Sequence, residues 1–431
     1  MRSFWFYTYN VIAVPILYAG FYFISLFHKK IRKGIRVRKT LFQDLEKRVR
    51  SLDSKGPRFW IHNSSMGEFE QAKPLIEELK QRFPDGSVIV SFYSPSGFEN
   101  VQGYPHADLL CYLPFDSYRK AKRFVTTIQP DVAIMVRHDL WPNHLWRLRM
   151  QNIPAILINC SVRPKYWYHL PFLCAASRSF FQYFDSVLAV SQETKFYWNR
   201  YRLGFQEVKV VGDTRYDQVV RRAKEAEKIV APLRKLKRQR KCVVFGSTWP
   251  SDEEAIFEAM RRLCETKTDL WTVIVPHEPV EEHLTQIRER LNQMNIRFDF
   301  FSQIEKHPHM DTDALVVDRI GILASLYALG DLSFVGGGFG PGVHNVLEPA
   351  ALGKVVIFGP KHANSFEAVQ LKKRGVGFEV KSGDELFLFI LSFLKDAKRL
   401  FELGEKAAAL VRENVGATER IVKYIETTIR S

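Results

Sequence analysis

The chain has little of what would hold a fold together by covalent or metal chemistry. Its five cysteines (Cys111, Cys160, Cys174, Cys242 and Cys264) are scattered over 431 residues with no CxxC pair. That spacing indicates neither a disulfide framework nor a zinc site, and it suits a reducing cytoplasm. No HExxH occurs: His277 and His283 in "HEPVEEH" are too widely spaced, and "HPH" (His307 to His309) has no further ligand partners, so no protein-held metal is expected. GxxxxGK[ST] is missing as well, which argues against a P-loop nucleotidase, and no short-period repeat is visible.

Acidic residues are outnumbered, 47 against 63 Lys and Arg, giving a formal charge of +16. So basic a chain implies a partner rich in phosphate: nucleic acid, anionic lipid or an anionic substrate. More than half of the excess lies within the first 50 residues, where eleven Lys and Arg face only Asp44 and Glu46. Just ahead of that cluster, Phe4 to Phe27 carries no charge for 24 residues, long enough as a helix to cross a hydrocarbon core of about 30 Å. Basic residues immediately after a span place the following chain in the cytoplasm. A cleaved signal peptide should carry its charged region ahead of the apolar stretch and a small-x-small cleavage site after it, whereas here only Arg2 precedes the stretch, the basic run follows it and no such site is evident. A membrane anchor is therefore expected. Asn10, Pro15 and the many aromatics leave an interfacial helix as the alternative.

Length alone favours two domains of roughly 200 residues each. Short β-rich runs ("RFWIHN", "GSVIVSFY", "DVAIMV", "PAILINC", "SVLAVS", "VKVVG") alternate with helical patterns, as in a parallel α/β sheet with crossover helices. "RRAKEAEKIVAPLRKLKRQRK" (221 to 241) breaks the rhythm with charge and a proline and reads as a helix and linker. Beyond it "CVVFGS", "WTVIVP", "ALVVD", "LSFVGGG" and "VVIFGP" restart the pattern. Two α/β halves facing each other across a cleft are expected. Ligands of such sheets bind outside the carboxyl ends of the strands, and the residues there are polar or glycine-rich.

Four of these stretches invite a chemical reading. In "FVGGGFGPGVHNVLEPAALGK" the glycines would let backbone amides approach a phosphate. On a helix beginning near His344, Glu348 would lie one turn on, where a carboxylate can accept from ribose hydroxyls. Pro276 and His277 end a buried strand, placed to touch a base or phosphate. Arg215 in "GDTRYD" could neutralise a leaving phosphate or simply pair with Asp213 or Asp217. In "NSSMGEFEQAKPLIEELK" helical periodicity puts Glu68 beside the apolar stripe of Phe69, Ala72, Leu75 and Ile76, and points Glu70 to water. Glu68 also falls in the first turn, where the helix dipole favours the ionised form a general base requires; a plain capping role is the alternative.

Taken together, "NSSMGEFEQAKPLI", "SFYSPSGFE", "YLPFDS", "LWPN", "GDTRYD", "GSTWPSDEE", "PHE" and "GGGFGPGVHNVLEPAALGKVVIFGP" resemble, in order from about residue 58 to 370, the 3-deoxy-D-manno-octulosonic acid (Kdo) transferases of lipopolysaccharide assembly. The resemblance implies a GT-B glycosyltransferase fold of two Rossmann-like domains. It implies inverting transfer of Kdo from CMP-Kdo to the tetraacyl lipid A precursor (lipid IVA) at the cytoplasmic face of a Gram-negative inner membrane. It implies no metal cofactor and no nucleic-acid partner. The organisation expected is an anchor over 1–28, an acceptor-binding domain over 29–220, a linker over 221–240 and a CMP-sugar-binding domain over 241–431. Glu68 would be the base, and CMP would meet Pro276, His277, Ile320, Gly321, Ile322, Asn345, Val346, Leu347 and Glu348. The carboxylate and lysine that many family members carry as transition-state groups are matched here by Arg137 and Arg215. Arg215 keeps the charge, whereas Arg137 reverses it, and Asp139, two residues on, matches a second acidic position. From the residues alone, a GT-B transferase of another nucleotide sugar and a non-catalytic anionic-lipid or nucleic-acid binder stay open.

Overall fold

The computed structural model describes residues 2–52, 55–137, 139–162, 171–204, 206–304 and 312–430. The chain divides into two compact units: residues 1–218 together with 415–431, and residues 219–414.

The sheet of the first unit has seven parallel strands: β1 (Arg58–Asn63), β2 (Ser87–Phe92), β3 (Leu109–Tyr112), β4 (Val132–Val136), β5 (Ala155–Cys160), β6 (Ser186–Ala189) and β7 (Val208–Val210). Their order is β3-β2-β1-β4-β5-β6-β7. Both faces are covered, so β2, β4 and β5 are buried along their whole length and read as continuous apolar runs rather than alternating ones. Successive residues serve opposite sides: Trp60, Ile89 and Ala133 belong to one core, and Ile61, Val90 and Ile134 to the other. Strand order reverses between β1 and β4, the position at which sheets of this kind hold their ligands.

The second unit repeats the scheme with β8 (Lys241–Thr248), β9 (Leu270–Pro276), β10 (Phe298–Phe300), β11 (Ala314–Val316), β12 (Leu332–Val335), β13 (Val355–Phe358) and β14 (Gly377–Glu379). All its strand pairs are parallel, in the order β10-β11-β9-β8-β12-β13-β14. Its reversal lies between β8 and β12.

One expected boundary is corrected and another is refined. Over 221–240, read from the sequence as a helix and linker, a single helix, Thr214–Lys237, occupies most of the segment and begins before it. Val219, Ala226, Val230, Leu233 and Leu236 are buried at helical spacing on that helix, a stripe hidden in the sequence by the charges between them. Residues 415–431 belong to the first unit rather than the second. Ile421, Val422 and Ile425 of the helix Ala417–Arg430 enter its core, and Asp217 accepts the Gly416 and Thr418 amides at 2.6 and 2.7 Å to fix the return of the chain.

Among the described residues one helical stretch, Phe4–Ser25, is long and apolar enough to cross a membrane. It contains a π-helical turn, Thr8–Ala13, immediately before Pro15, whose ring cannot donate to the preceding turn. One side packs on the first unit from end to end: Phe6 on Trp146 (4.9 Å between rings), Tyr18 on Phe115 (5.2 Å) and Phe21 on Tyr93 (6.1 Å). The Tyr9 hydroxyl donates to Asp116 at 2.7 Å. Tyr7, Val11, Ile16 and Phe23 are exposed by more than 60 %. The helix Lys29–Val37 follows with the basic residues.

Candidate functional site

In the first unit Glu68, Arg137 and Asp139 gather at the reversal between β1 and β4, whereas Arg215 follows the edge strand β7. Glu68 lies in the first turn of the helix Met66–Arg82, directly after β1, and its Oε2 accepts the Ser65 amide at 2.9 Å. The capping role and the fixed carboxylate are thus the same arrangement: one hydrogen bond caps the helix and holds the side chain in place. Glu70 is corrected. It is only 21 % exposed, held by Lys73 at 2.6 Å and by Gln218 at 3.1 Å, because the start of the helix Thr214–Lys237 packs where the sequence pattern suggests solvent. Thr214 Oγ1 donates to the Gln71 carbonyl at 2.6 Å in the same contact. The next residue, Arg215, is gripped by Asp213 through Nε (2.9 Å) and Nη2 (2.7 Å), which combines the two possibilities that its sequence context leaves open: a cation at a strand end and an ion pair.

From β4 come Arg137 and Asp139. Arg137 holds φ at 68°, a left-handed conformation unusual for a long side chain, and strain of that sort collects at functional sites. Asp139 Oδ1 accepts from Ser64 Oγ at 2.6 Å. Burial and then the charge of Glu68 push the Asp139 carboxyl up to about 7, against the opposing Ser64 hydrogen bonds and Arg137. Glu68 and Asp139 are therefore near neighbours whose surroundings differ, the condition under which two carboxyl groups divide acid and base roles.

Sequence reasoning passed over what lies beneath. His62, fully buried, points Nε2 at Asp139 Oδ2 from 3.4 Å and Nδ1 at Ser91 Oγ from 2.8 Å. Burial, then the charge of His144, lowers its proton affinity well below the usual histidine range, so the ring is neutral. The signal was present in "RFWIHN", where a polar pair closes an otherwise apolar strand.

In the second unit the expected nucleotide contacts gather at the ends of β8, β9 and β12. Pro276 is the last residue of β9, and the His277 amide donates to the Thr248 carbonyl at 2.9 Å. Rings of Trp249, His277 and His344 form a stack, with centroids 4.9 Å apart in the first pair and 4.3 Å in the second. Trp249 Nε1 donates to His344 Nε2 at 2.7 Å; burial, followed by the charge of His277, holds His344 down to about 4. Ile320 is 79 % exposed, Gly321 adopts φ 98° in open space, and Ile322 precedes the short helix Leu323–Leu326.

The glycine-rich turn departs from expectation. Its amides face the protein rather than a phosphate: Gly337 and Phe339 donate to Asp252 at 2.6 and 3.0 Å, Gly336 to Gly246, and Gly340 and Gly342 to Gly337. Glycine is needed for close packing instead, since a Cβ on Gly336 would lie 2.3 Å from the Ser247 carbonyl and one on Gly338 would lie 2.5 Å from the Gly359 nitrogen. The helix after the turn begins at Leu347, not near His344. Asn345 Oδ1 accepts the Leu347 amide at 3.1 Å, with Val346 between them, and Glu348 sits in the first turn. Arg222 Nη1 lies 3.3 Å from Glu348 Oε1, a neighbour the sequence did not suggest. Among the described residues no group of three or more His, Cys, Asp or Glu side chains could hold a metal; His307 and His309 lie outside them.

Comparison with known proteins agrees with this architecture. The family model described as 3-deoxy-D-manno-octulosonic-acid transferase (kdotransferase) matches residues 39–218. The 3-deoxy-D-manno-octulosonic acid transferase of Haemophilus influenzae is 27 % identical over 377 residues, covering 85 % of this chain and 86 % of its own length. That of Chlamydia muridarum is 29 % identical over 375 residues, 84 % of each chain. Among solved structures, the UDP-GlcNAc 2-epimerase of Neisseria meningitidis matches 86 % of this chain and all of its own with a TM-score of 0.60 at 14 % identity. A glycosyltransferase of Rickettsia africae matches 87 % of this chain and 98 % of its own with a TM-score of 0.56 at 13 % identity. The fold is thus that of the GT-B glycosyltransferases, and the relatives that align along most of the chain's length are of one kind, 3-deoxy-D-manno-octulosonic acid transferases, to which the chain is similar.

Proposed function

We propose that the protein transfers Kdo with inversion from CMP-Kdo to the lipid A precursor, with Glu68 as general base. The observation that carries the reading is the placement of Glu68: a carboxylate fixed by a backbone amide at a helix start, at the reversal of strand order, beside a second carboxyl group, Asp139, that burial holds above the usual carboxylate range. Glu68 takes the proton from the attacking sugar hydroxyl. The freed oxygen bonds to the anomeric carbon as that carbon's bond to the CMP phosphate breaks, and the electron pair leaves on the phosphate. Arg215, oriented by Asp213, supplies positive charge for the leaving monophosphate, and the Arg137 cation beside Asp139 is a second source. With cations in these roles the reading calls for no metal. The second unit binds the donor, the Trp249, His277 and His344 stack and the segment Asn345 to Glu348 meeting CMP.

The helix Phe4–Ser25, clasped along one side to the first unit, lies in the bilayer interface with Val11, Ile16 and Phe23 in the lipid and the basic helix Lys29–Val37 on anionic headgroups. In this reading the catalytic units stand on the cytoplasmic face of the inner membrane. The test is direct: membranes containing the protein, incubated with CMP-Kdo and lipid IVA, with products read by mass. Addition of one or more Kdo units is the expected result. No transfer under conditions in which a known transferase works would overturn the reading.

A further inference from the structure

Beneath the candidate base runs a row of buried polar groups to which the chemistry above gives no task. Trp60 Nε1 lies 2.8 Å from Ser91 Oγ, and Ser91 Oγ lies 2.8 Å from His62 Nδ1. His62 Nε2 and Asp139 Oδ2 face each other at 3.4 Å, both buried and neither hydrogen-bonded to any other group. The nature of each group gives the row a direction. An indole nitrogen only donates, so Ser91 Oγ accepts from Trp60. The hydroxyl hydrogen of Ser91 then goes to His62 Nδ1, because the opposite arrangement would leave a buried donor unpaired. A neutral His62 consequently carries its proton on Nε2, aimed at Asp139. Ser64 donates to the other oxygen of the same carboxylate.

We propose that His62 is a positioning residue of the transfer reaction: locked by Ser91 as the Nε2–H tautomer, it holds Asp139 ionised beside Glu68, ready to receive the proton that Glu68 takes from the sugar hydroxyl. This rests on the reading of Glu68 as the base. The hydroxyl O–H bond breaks and its proton goes to Glu68; the new glycosidic bond forms and CMP departs with the electron pair of the broken bond. The proton then passes to Asp139 and later to solvent, which returns Glu68 to its charged form. Asp139 suits that task because burial and the charge of Glu68 raise its proton affinity to about 7. The charged or titratable groups acting on Asp139 are Glu68 and Arg137, and those acting on His62 are His144 and Arg38.

Nitrogen-15 NMR of the intact, histidine-labelled protein tests the row without any turnover. Well above neutral pH the wild type should show His62 as the Nε2–H tautomer, and Ser91→Ala should admit the Nδ1–H form; Nδ1–H in the wild type would overturn the proposal. For the reaction, kcat/KM should rise with pH through about 7. Removing a donor to ionised Asp139 should move that midpoint upward, by at least about half a pH unit, in Ser91→Ala and in His62→Gln. Asp139→Asn should abolish the rise. A loss of activity that is uniform with pH, with the midpoint unmoved in Ser91→Ala, would reduce the row to a structural role and refute the proposal. Absence of Kdo transfer by the wild type would refute the function reading instead, and the tautomer measurement would still decide the state of His62.

Discussion

Replacing Glu68 by Gln separates chemistry from architecture more sharply than any other change in the first unit. The side chain has two connections: the Ser65 amide, 2.9 Å from Oε2, and the charge by which it raises the Asp139 carboxyl. A glutamine amide oxygen can still accept from Ser65, so the structural loss is confined to the interaction of a charge with a helix start, about 0.3–1 kcal/mol. For a chain of this size that amounts to a fall in Tm of about 4 °C at most. Loss of a general base costs about 10²–10⁴ in rate, or about 3–5 kcal/mol on the barrier. The two effects therefore differ several-fold in energy and are read by different instruments. Single-turnover transfer from CMP-Kdo to lipid IVA measures the first, thermal unfolding the second, and calorimetric CMP titration confirms that the donor still binds. Turnover by Glu68→Gln within about threefold of the wild type would refute the role given to Glu68, since no general base contributes so little. A large loss of both turnover and Tm would instead make the carboxylate mainly a structural cap.

Asp252→Ala leaves the Trp249, Gly337 and Phe339 amides without their acceptor in a fully buried position; urea denaturation should show a loss of about 2–4 kcal/mol, and CMP binding should fall with it. Asp139→Asn should change the pH dependence of stability. The native carboxyl, raised to about 7, binds a proton where the unfolded chain, near 3.9, does not, so wild-type stability falls as pH rises from about 4 to 7. The variant should lack that fall, and parallel wild-type and variant curves across the window would contradict the assignment. Ile16→Asp with Phe23→Asp places charges on the side of the N-terminal helix turned away from the first unit. Sedimentation with anionic vesicles should drop by at least about tenfold while Tm is unchanged.

Much of the fold was legible because strands buried on both faces are continuous apolar runs, and runs such as "SVIVSF" and "VAIMV" have no other plausible use. The boundaries were less legible. The helix Thr214–Lys237 hides its buried stripe among charges, and the helix Ala417–Arg430 gives no local hint of which unit it completes, since that depends on contacts with residues more than 200 positions away, Asp217 among them. At the site, periodicity placed Glu68 correctly in the first turn but left Glu70 in water, because the turn of chain that covers it comes from Gln218. The glycine-rich turn misled for a related reason. Spacing reveals that a backbone must approach something closely, and the something proved to be neighbouring loops and a buried aspartate rather than a phosphate. The His62 row was invisible because its members meet only when β1 pairs with β2, which brings His62 level with Ser91.

The return of residues 415–431 to the first unit has a consequence for how the protein is made. Residues 219–414 form a continuous stretch that can collapse as soon as it leaves the ribosome, whereas the core holding Val132, Ile134 and Leu75 waits for Ile421, Val422 and Ile425, made only after the whole of that stretch. The unit begun before the other is completed after it. Its aromatic helix Phe4–Ser25 is thus made, and can meet the membrane, before the scaffold beneath it has closed, and a frameshift just after residue 414 would strike the unit that carries Glu68 while sparing the unit whose residues lie next to it in the sequence.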